Sequence, residues 1–386
     1  MRKSIRVSLA AFVLLLPAAS NVEAATLPAE TRRALVQLKL DESVLKGLDA
    51  ELDVPRSWVE GAEKEGDVAI LSTWRDQEFR QFAKGFNERY PAVKLKFNRP
   101  NAADRGMKIF VELQLGRAPS ADVLTSIGDT YLQLKKMNAL ADLRELPAFK
   151  SLPDQYVAPD GSWAAHTLAY RCMAYNTNLV RKDELPKTWD DLVADPKWRG
   201  GRLALSNNPN AWLLALWSAK GEKWGADFTR RLFDLAPQQR KEGLMAITAL
   251  TVAGEFYGNL PSPGERAQEY ANKGAPISYH CPDPVTATLS QIVMLEKTQH
   301  KNGARLFINW LLSAEGQLLQ YAASQLEPVN KALQLPQFIP FADTILGKPF
   351  VVRGEDMFGS EINEAMVKEW DSHWAKSGGK KGEAEE

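Results

Sequence analysis

The chain has 386 residues, 45% of them hydrophobic and 25% charged, the make-up of a soluble globular protein large enough for two lobes or domains. Lysine plus arginine and aspartate plus glutamate both total 48, so no net field draws the chain to nucleic acid or to an anionic membrane. Nucleic-acid partners are therefore not expected.

MRKSIR carries three positive charges, VSLAAFVLLL is a short apolar run, and Val22 and Ala24 set small residues before a cleavage point after Ala24. That order is the pattern of a secretory signal peptide, with an apolar run too short for a permanent anchor. Its removal takes Arg2, Lys3, Arg6 and Glu23 and leaves the balance near neutral. No cysteine stands beside the cleavage point, so lipid attachment there is excluded. The expected product is a periplasmic protein of a Gram-negative cell, not embedded in the membrane.

Residues 25–60 place Leu35, Leu38, Leu40, Val44, Leu45 and Leu48 at helical spacing and predict one or two short helices ahead of the main fold. DVAILSTW then reads as a strand. RDQEFRQFAKGFNERYP puts Phe79, Phe82 and Phe86 on one helical face and stops at Pro91. VKLKF alternates as a strand, NAADRGMKIFVELQLG is helical, and ADVLTSIGD is a further short strand opening into a turn. This succession predicts an open α/β sheet with parallel crossovers, whose ligands bind outside the carboxyl ends of the strands. STWRD and TSIGD mark two such ends. Further on, RCMAYNTNLV predicts a strand, Leu203–Leu205 another, and SNNPN a third polar strand end feeding a helix. GLMAITALTVAGEFYGNL predicts a helix and a strand, ERAQEYANKG a helix, ATLSQIVML a strand, and ARLFINWLLSAEGQLLQYAA two helices. KSGGKKGEAEE is nearly free of apolar side chains and is expected to be disordered.

Taken in order, SWVEGAEKEGDVAILSTW, FNERYPAVKLKF, LQLGRAPSADVL, AYNTNLVRKDELPKTWDDLVADPKWRGGRLAL, AGEFYGN, GAPISY and NGARLFINWLLSAEGQLLQYAASQLEPVN resemble the family 1 extracellular solute-binding proteins of ABC importers, near the ferric-ion binders. The resemblance runs over about residues 57 to 330. It implies a type II periplasmic-binding-protein fold: two α/β lobes joined by a hinge of two chain crossings, with ligand in the cleft. The implied division is 1–24 signal peptide, 25–60 helical extension, 61–170 first part of lobe 1, 171–281 lobe 2, 282–375 second part of lobe 1, and 376–386 tail. An inner-membrane ABC permease is the implied partner, and the protein is expected to be a monomer without cofactor.

Ferric-ion members use adjacent tyrosines in lobe 2, often with a histidine in the first strand-to-helix turn. AGEFYGNLPSPGERAQEY has Tyr257 but no adjacent tyrosine pair, with Ser262 and Pro263 where the pair is expected, and Arg75 stands about where the histidine would lie. Iron(III) needs hard, preferably anionic oxygen ligands, whereas a guanidinium favours a carboxylate or phosphoryl group. The expectation is therefore a small organic anion rather than iron, and no metal. Thr73, Trp74, Arg75 and Ser126 are the lobe 1 candidates, Asn207, Asn208 and Tyr257 those of lobe 2, and Tyr279 and Asp283 those of the hinge.

ISYHCPDP gathers His280, Cys281 and Asp283, and a secreted Cys–His hydrolase is the alternative from another class. Neighbours on a strand point to opposite faces, which separates the imidazole from the thiol. No G-x-S-x-G, H-E-x-x-H or C-x-x-C occurs, and His166, His280, His300 and His373 have no ligand-like spacing. The expectation is not an enzyme. On the implied topology Cys172 lies on the outgoing crossing and Cys281 on the return, so in an oxidising compartment they are expected to pair.

Overall fold

The computed structural model describes residues 27–100 and 102–376. The cleavage point after Ala24 and nearly all of the 376–386 tail lie outside the described residues. Ten strands are present among them: β1 (Asp67–Leu71), β2 (Lys94–Asn98), β3 (Val123–Thr125), β4 (Ala164–Asn176), β5 (Leu203–Ser206), β6 (Gln238–Arg240), β7 (Gly258–Pro263), β8 (Ile277–His280), β9 (Val285–Met294) and β10 (Phe350–Arg353).

β1 pairs in parallel with β2 and with β3, as the strand–helix alternation predicts, and β3 meets β9 antiparallel. β9 pairs with residues 164–170 of β4. From Arg171 onward the same strand leaves β9 and pairs with β7 and β8, while β7, β5 and β6 run parallel to one another. β4 is thus the outgoing crossing between two lobes, and the turn from β8 to β9 is the return. Sequence reading began this strand at Arg171; it begins at Ala164. Its residues are buried on both faces almost throughout, which erases the polar–apolar alternation that betrays a half-buried strand.

Two large hydrophobic clusters follow the two halves. The first packs Phe82, Phe86, Phe307 and Trp310 against Val68, Ile70 and Val123. The N-terminal helices belong to it rather than standing ahead of it, since Leu35, Leu45 and Leu48 are buried there. Two buried carboxylates fasten this segment. Glu51 accepts the amide of Ala314 at 2.7 Å and the Asn330 side chain at 2.8 Å; a carboxylate at the first turn of helix Ala314–Ser324 meets the positive end of its dipole. Glu315 accepts the Thr31 hydroxyl at 2.7 Å and pairs with Arg89.

The second cluster is built on tryptophan: Trp189, Trp198, Trp212 and Trp217 pack with Phe228 and Leu260. Helix Glu361–Lys376, which the implied division assigned to lobe 1, adds Met366, Trp370 and Trp374 to this second core. Those side chains recur at four-residue spacing, one face of a helix, and that face is covered by Phe233, 5.1 Å from Trp370 between ring centres.

Candidate functional site

The carboxyl ends of β1 and β3 are tied by a 2.6 Å hydrogen bond between the hydroxyls of Ser72 and Thr125. The next residues turn outward to a cavity of ≈ 350 Å³, a size suited to a small ligand. Thr73 and Ser126 line it from the first lobe. Ser126 sits at φ 50°, a left-handed conformation costing a β-carbon residue about 1–2 kcal/mol. Its carbonyl is fixed by Nε and Nη2 of Arg105 at 3.2 and 3.0 Å, and its amide donates to the Gln291 carbonyl at 3.1 Å. Strain maintained by such bonds at a strand end is a common mark of a functional turn.

From the second lobe come Asn208, Asn210 and Ala211, immediately after β5, and Leu244 at the start of helix Leu244–Val252. The crossings contribute Arg171 on β4 and Thr288, Leu289 and Ser290 on β9, while Arg353 at the end of β10 and Phe358 close another side. Arg171 is oriented by its own strand and by the next helix: Nη1 donates to the Tyr170 carbonyl at 3.0 Å and to Glu265 at 3.3 Å. Arg353 lies over the Phe358 ring, 4.8 Å from its centre, a stacking that holds the guanidinium plane in place. Among the described residues lining the cavity there are two arginines, several hydroxyls and amides, and no carboxylate, imidazole or phenol.

Of the expected site residues, Thr73, Ser126 and Asn208 are brought together in this cavity. The others are placed elsewhere. Trp74 is turned into the first core, 5.8 Å from Phe79 and 5.2 Å from His166. Arg75 starts helix Asp76–Arg89 and bonds Glu78 through its amide at 3.0 Å and its Nε at 2.7 Å; Glu78 also receives Arg266 at 3.3 Å. Asn207 accepts the indole N–H of Trp370 at 3.0 Å. Tyr257 packs beneath the Arg202 guanidinium at 5.1 Å. Tyr279 is fully buried, accepting the Cys172 amide at 2.6 Å and donating to the Ser262 carbonyl at 2.9 Å. Asp283 pairs with Lys348 at 3.4 Å. Arg171, Asn210, Thr288, Ser290, Arg353 and Phe358 escaped the sequence reading; only Asn210, inside the SNNPN turn already noted, carried a visible signal.

Cys172 and Cys281 form a disulfide, with Cα atoms 5.0 Å apart, that joins the outgoing crossing to the return. The sulfur of Cys281 is therefore not a nucleophilic thiolate, and the hydrolase reading loses its central group. His280 donates from Nε2 to the Pro186 carbonyl at 2.6 Å, and burial lowers its pKa. Among the described residues no three His, Cys, Asp or Glu side chains are grouped to hold a metal ion, and no helix is long and apolar enough to cross a membrane.

The chain is similar in fold to several binding proteins. Iron-bound HitA from Pseudomonas aeruginosa aligns with a TM-score of 0.65 at 21% identity, over 79% of this chain and 98% of that one. AfuA from Actinobacillus pleuropneumoniae, bound to fructose-6-phosphate, aligns with a TM-score of 0.63 at 21% identity, over 80% and 98%. The ferric binding protein from Campylobacter jejuni gives 0.66 at 17% identity, over 79% and 99%. These likenesses establish the type II periplasmic-binding-protein fold. An uncharacterized protein of Haemophilus influenzae is 27% identical over 213 residues, covering 50% of this chain and 58% of its own length, so the chain spans little more than half of that curated relative. A family profile described as bacterial extracellular solute-binding protein matches residues 81–344. With most of its length covered by that match, the chain belongs to the bacterial extracellular solute-binding protein family.

Proposed function

We propose that the protein is the periplasmic receptor of an ABC importer and that its cleft binds a small organic anion bearing a carboxylate, phosphonate or phosphate ester. The observation that carries this reading is the lining of the cavity: Arg171 and Arg353 supply guanidinium groups, and no carboxylate stands among the described lining residues. Guanidinium pairs bind multi-oxygen anions through paired N–H donors. Thr73, Ser126, Asn208, Asn210 and Thr288 offer both donors and acceptors for hydroxyl or amino groups on the rest of the ligand.

The ferric-ion reading has less support. HitA holds iron and the Campylobacter jejuni protein is a ferric binder, but iron(III) calls for anionic oxygen donors, and Tyr257 and Tyr279 both lie away from the cavity. AfuA, bound to fructose-6-phosphate, offers a precedent on this fold for a phosphorylated organic ligand. The ligand is bound and released unchanged: closing the lobes over it selects the state presented to the permease. The protein acts as a monomer, without cofactor.

The test is a thermal-shift panel of carboxylates, phosphonates, sugar phosphates and ferric salts. Stabilisation by an organic anion, lost in Arg171→Met, is the expected result. Stabilisation by ferric ion alone, with a visible tyrosinate-to-iron absorption, would overturn it.

A further inference from the structure

The family match ends at residue 344, yet two residues lining the cavity, Arg353 and Phe358, lie beyond it. The segment carrying them is built as a bridge. β10 adds to the edge of β9 in parallel, setting Val351 beside Thr286 and Arg353 beside Thr288, itself a cavity residue. The chain then passes the first lobe at Gly359, where φ is 70° and a β-carbon would come within 3.0 Å of the Leu132 side chain; a residue without one allows that approach. Met357 meanwhile accepts a weak hydrogen bond from Ser218 of the second lobe at 3.9 Å. Finally helix Glu361–Lys376 seals onto the tryptophan core through Trp370 and Trp374, and the Trp374 carbonyl accepts from Gln239 at 3.2 Å.

We propose that residues 350–376 form a strap across the cleft that completes the ligand site, with Arg353 as a second guanidinium for the bound anion and Phe358 as the plate that orients it. This rests on the anion-cleft reading above and deepens it. One anchor of the strap lies on the sheet of the first lobe and the other in the core of the second, with the ligand contacts between them. A ligand engaging both Arg171 and Arg353 therefore ties the crossing strand to the strap, and opening the lobes must break that tie or move the strap. Binding and strap docking are then linked, each strengthening the other by the same factor. The strap also narrows selection, because the anion must reach two guanidinium groups held on separate elements.

The experiment is calorimetric titration of the mature full-length protein with inorganic phosphate, fructose-6-phosphate and citrate, using wild type, Arg353→Met, Arg353→Lys, Phe358→Ala and Arg171→Met. Arg353→Met is expected to weaken the tightest of these probes by about 10- to 100-fold, as for loss of a charged hydrogen bond, with Arg353→Lys recovering part of the loss and the melting temperature unchanged. Phe358→Ala is expected to weaken it by several-fold, about the size of a lost cation–π contact. Amide hydrogen exchange over 353–360 should slow when wild type is saturated. Wild-type affinity in Arg353→Met alongside weakened Arg171→Met overturns the strap and leaves the cleft reading standing, as does exchange over 353–360 that ligand does not change. Failure of wild type to bind any of the three probes overturns both.

Discussion

Trp370 donates its indole N–H to Oδ1 of Asn207 across 3.0 Å, joining the C-terminal helix to the turn after β5. Asn207 precedes Asn208, which lines the cavity, so the anchor of the helix and the wall of the cavity share one turn. Replacing Asn207 by Ala leaves the buried indole donor without its acceptor and is expected to cost about 1–3 kcal/mol. Trp370→Ala, which also empties the core, is expected to cost about 3–5 kcal/mol. Urea unfolding checks both, and hydrogen exchange in Asn207→Ala should accelerate first in residues 361–376.

Arg75 and Arg171 divide two roles that look alike in the sequence. Arg75 is half exposed and engaged with Glu78, whereas Arg171 is largely covered and reaches the cavity. Arg75→Ala is expected to leave ligand affinity unchanged and to cost under about 1 kcal/mol of stability, as partly exposed ion pairs do. Arg171→Met is expected to lose at least about tenfold in affinity. Titration of both variants with the same anion separates them.

Strand ends were legible because apolar runs stop in small polar turns, and STW, TSIG and SNNPN all reach the cavity, through Thr73, through Ser126 and Gly128, and through Asn208 and Asn210. The disulfide partners followed from the implied topology. Which neighbour in a turn faces the cavity was not legible, since Trp74 is drawn inward by Phe79, Phe82 and Phe97, all brought there by tertiary packing. Arg171 and Arg353 were hidden for another reason. An arginine within a strand reads as a surface charge until the strand is known to cross a cleft. The stripe Met366, Trp370 and Trp374 was readable as a helix face, but not as belonging to the second core.

The hinge disulfide closes a separation of 109 residues. Reduction, or the double change Cys172→Ala/Cys281→Ala, is expected to lower stability by about 2–5 kcal/mol through the freedom it returns to the unfolded chain. The urea midpoint should fall while the native far-ultraviolet spectrum is retained. Loss of the native spectrum at zero urea would show that the bond is required for folding itself.

Glu327 gives a pH signature. Its backbone amide and carbonyl pair with Leu168 on β4 at 3.2 and 2.9 Å, and burial raises its carboxyl to about 7 against an opposing hydrogen bond from Tyr170. The folded value lies above the unfolded one, near 4.3, so the native state holds the proton more tightly between them. Its stabilising contribution is full below the unfolded value and is lost as pH rises through about 7. Glu327→Gln should therefore gain stability on wild type from pH 5 to 8, by an amount on the order of 3 kcal/mol at the upper end. Parallel pH profiles of the two proteins would contradict this.

The Cys172–Cys281 bond also makes the intervening lobe a closed covalent ring, attached to the rest of the chain at a single cystine. A protease that cuts any peptide bond between Met173 and His280 opens the ring without releasing a fragment. Such a nicked molecule stays one covalent species, heavier than the intact chain by a single water, until a denaturant and a reductant are added and it separates into two pieces.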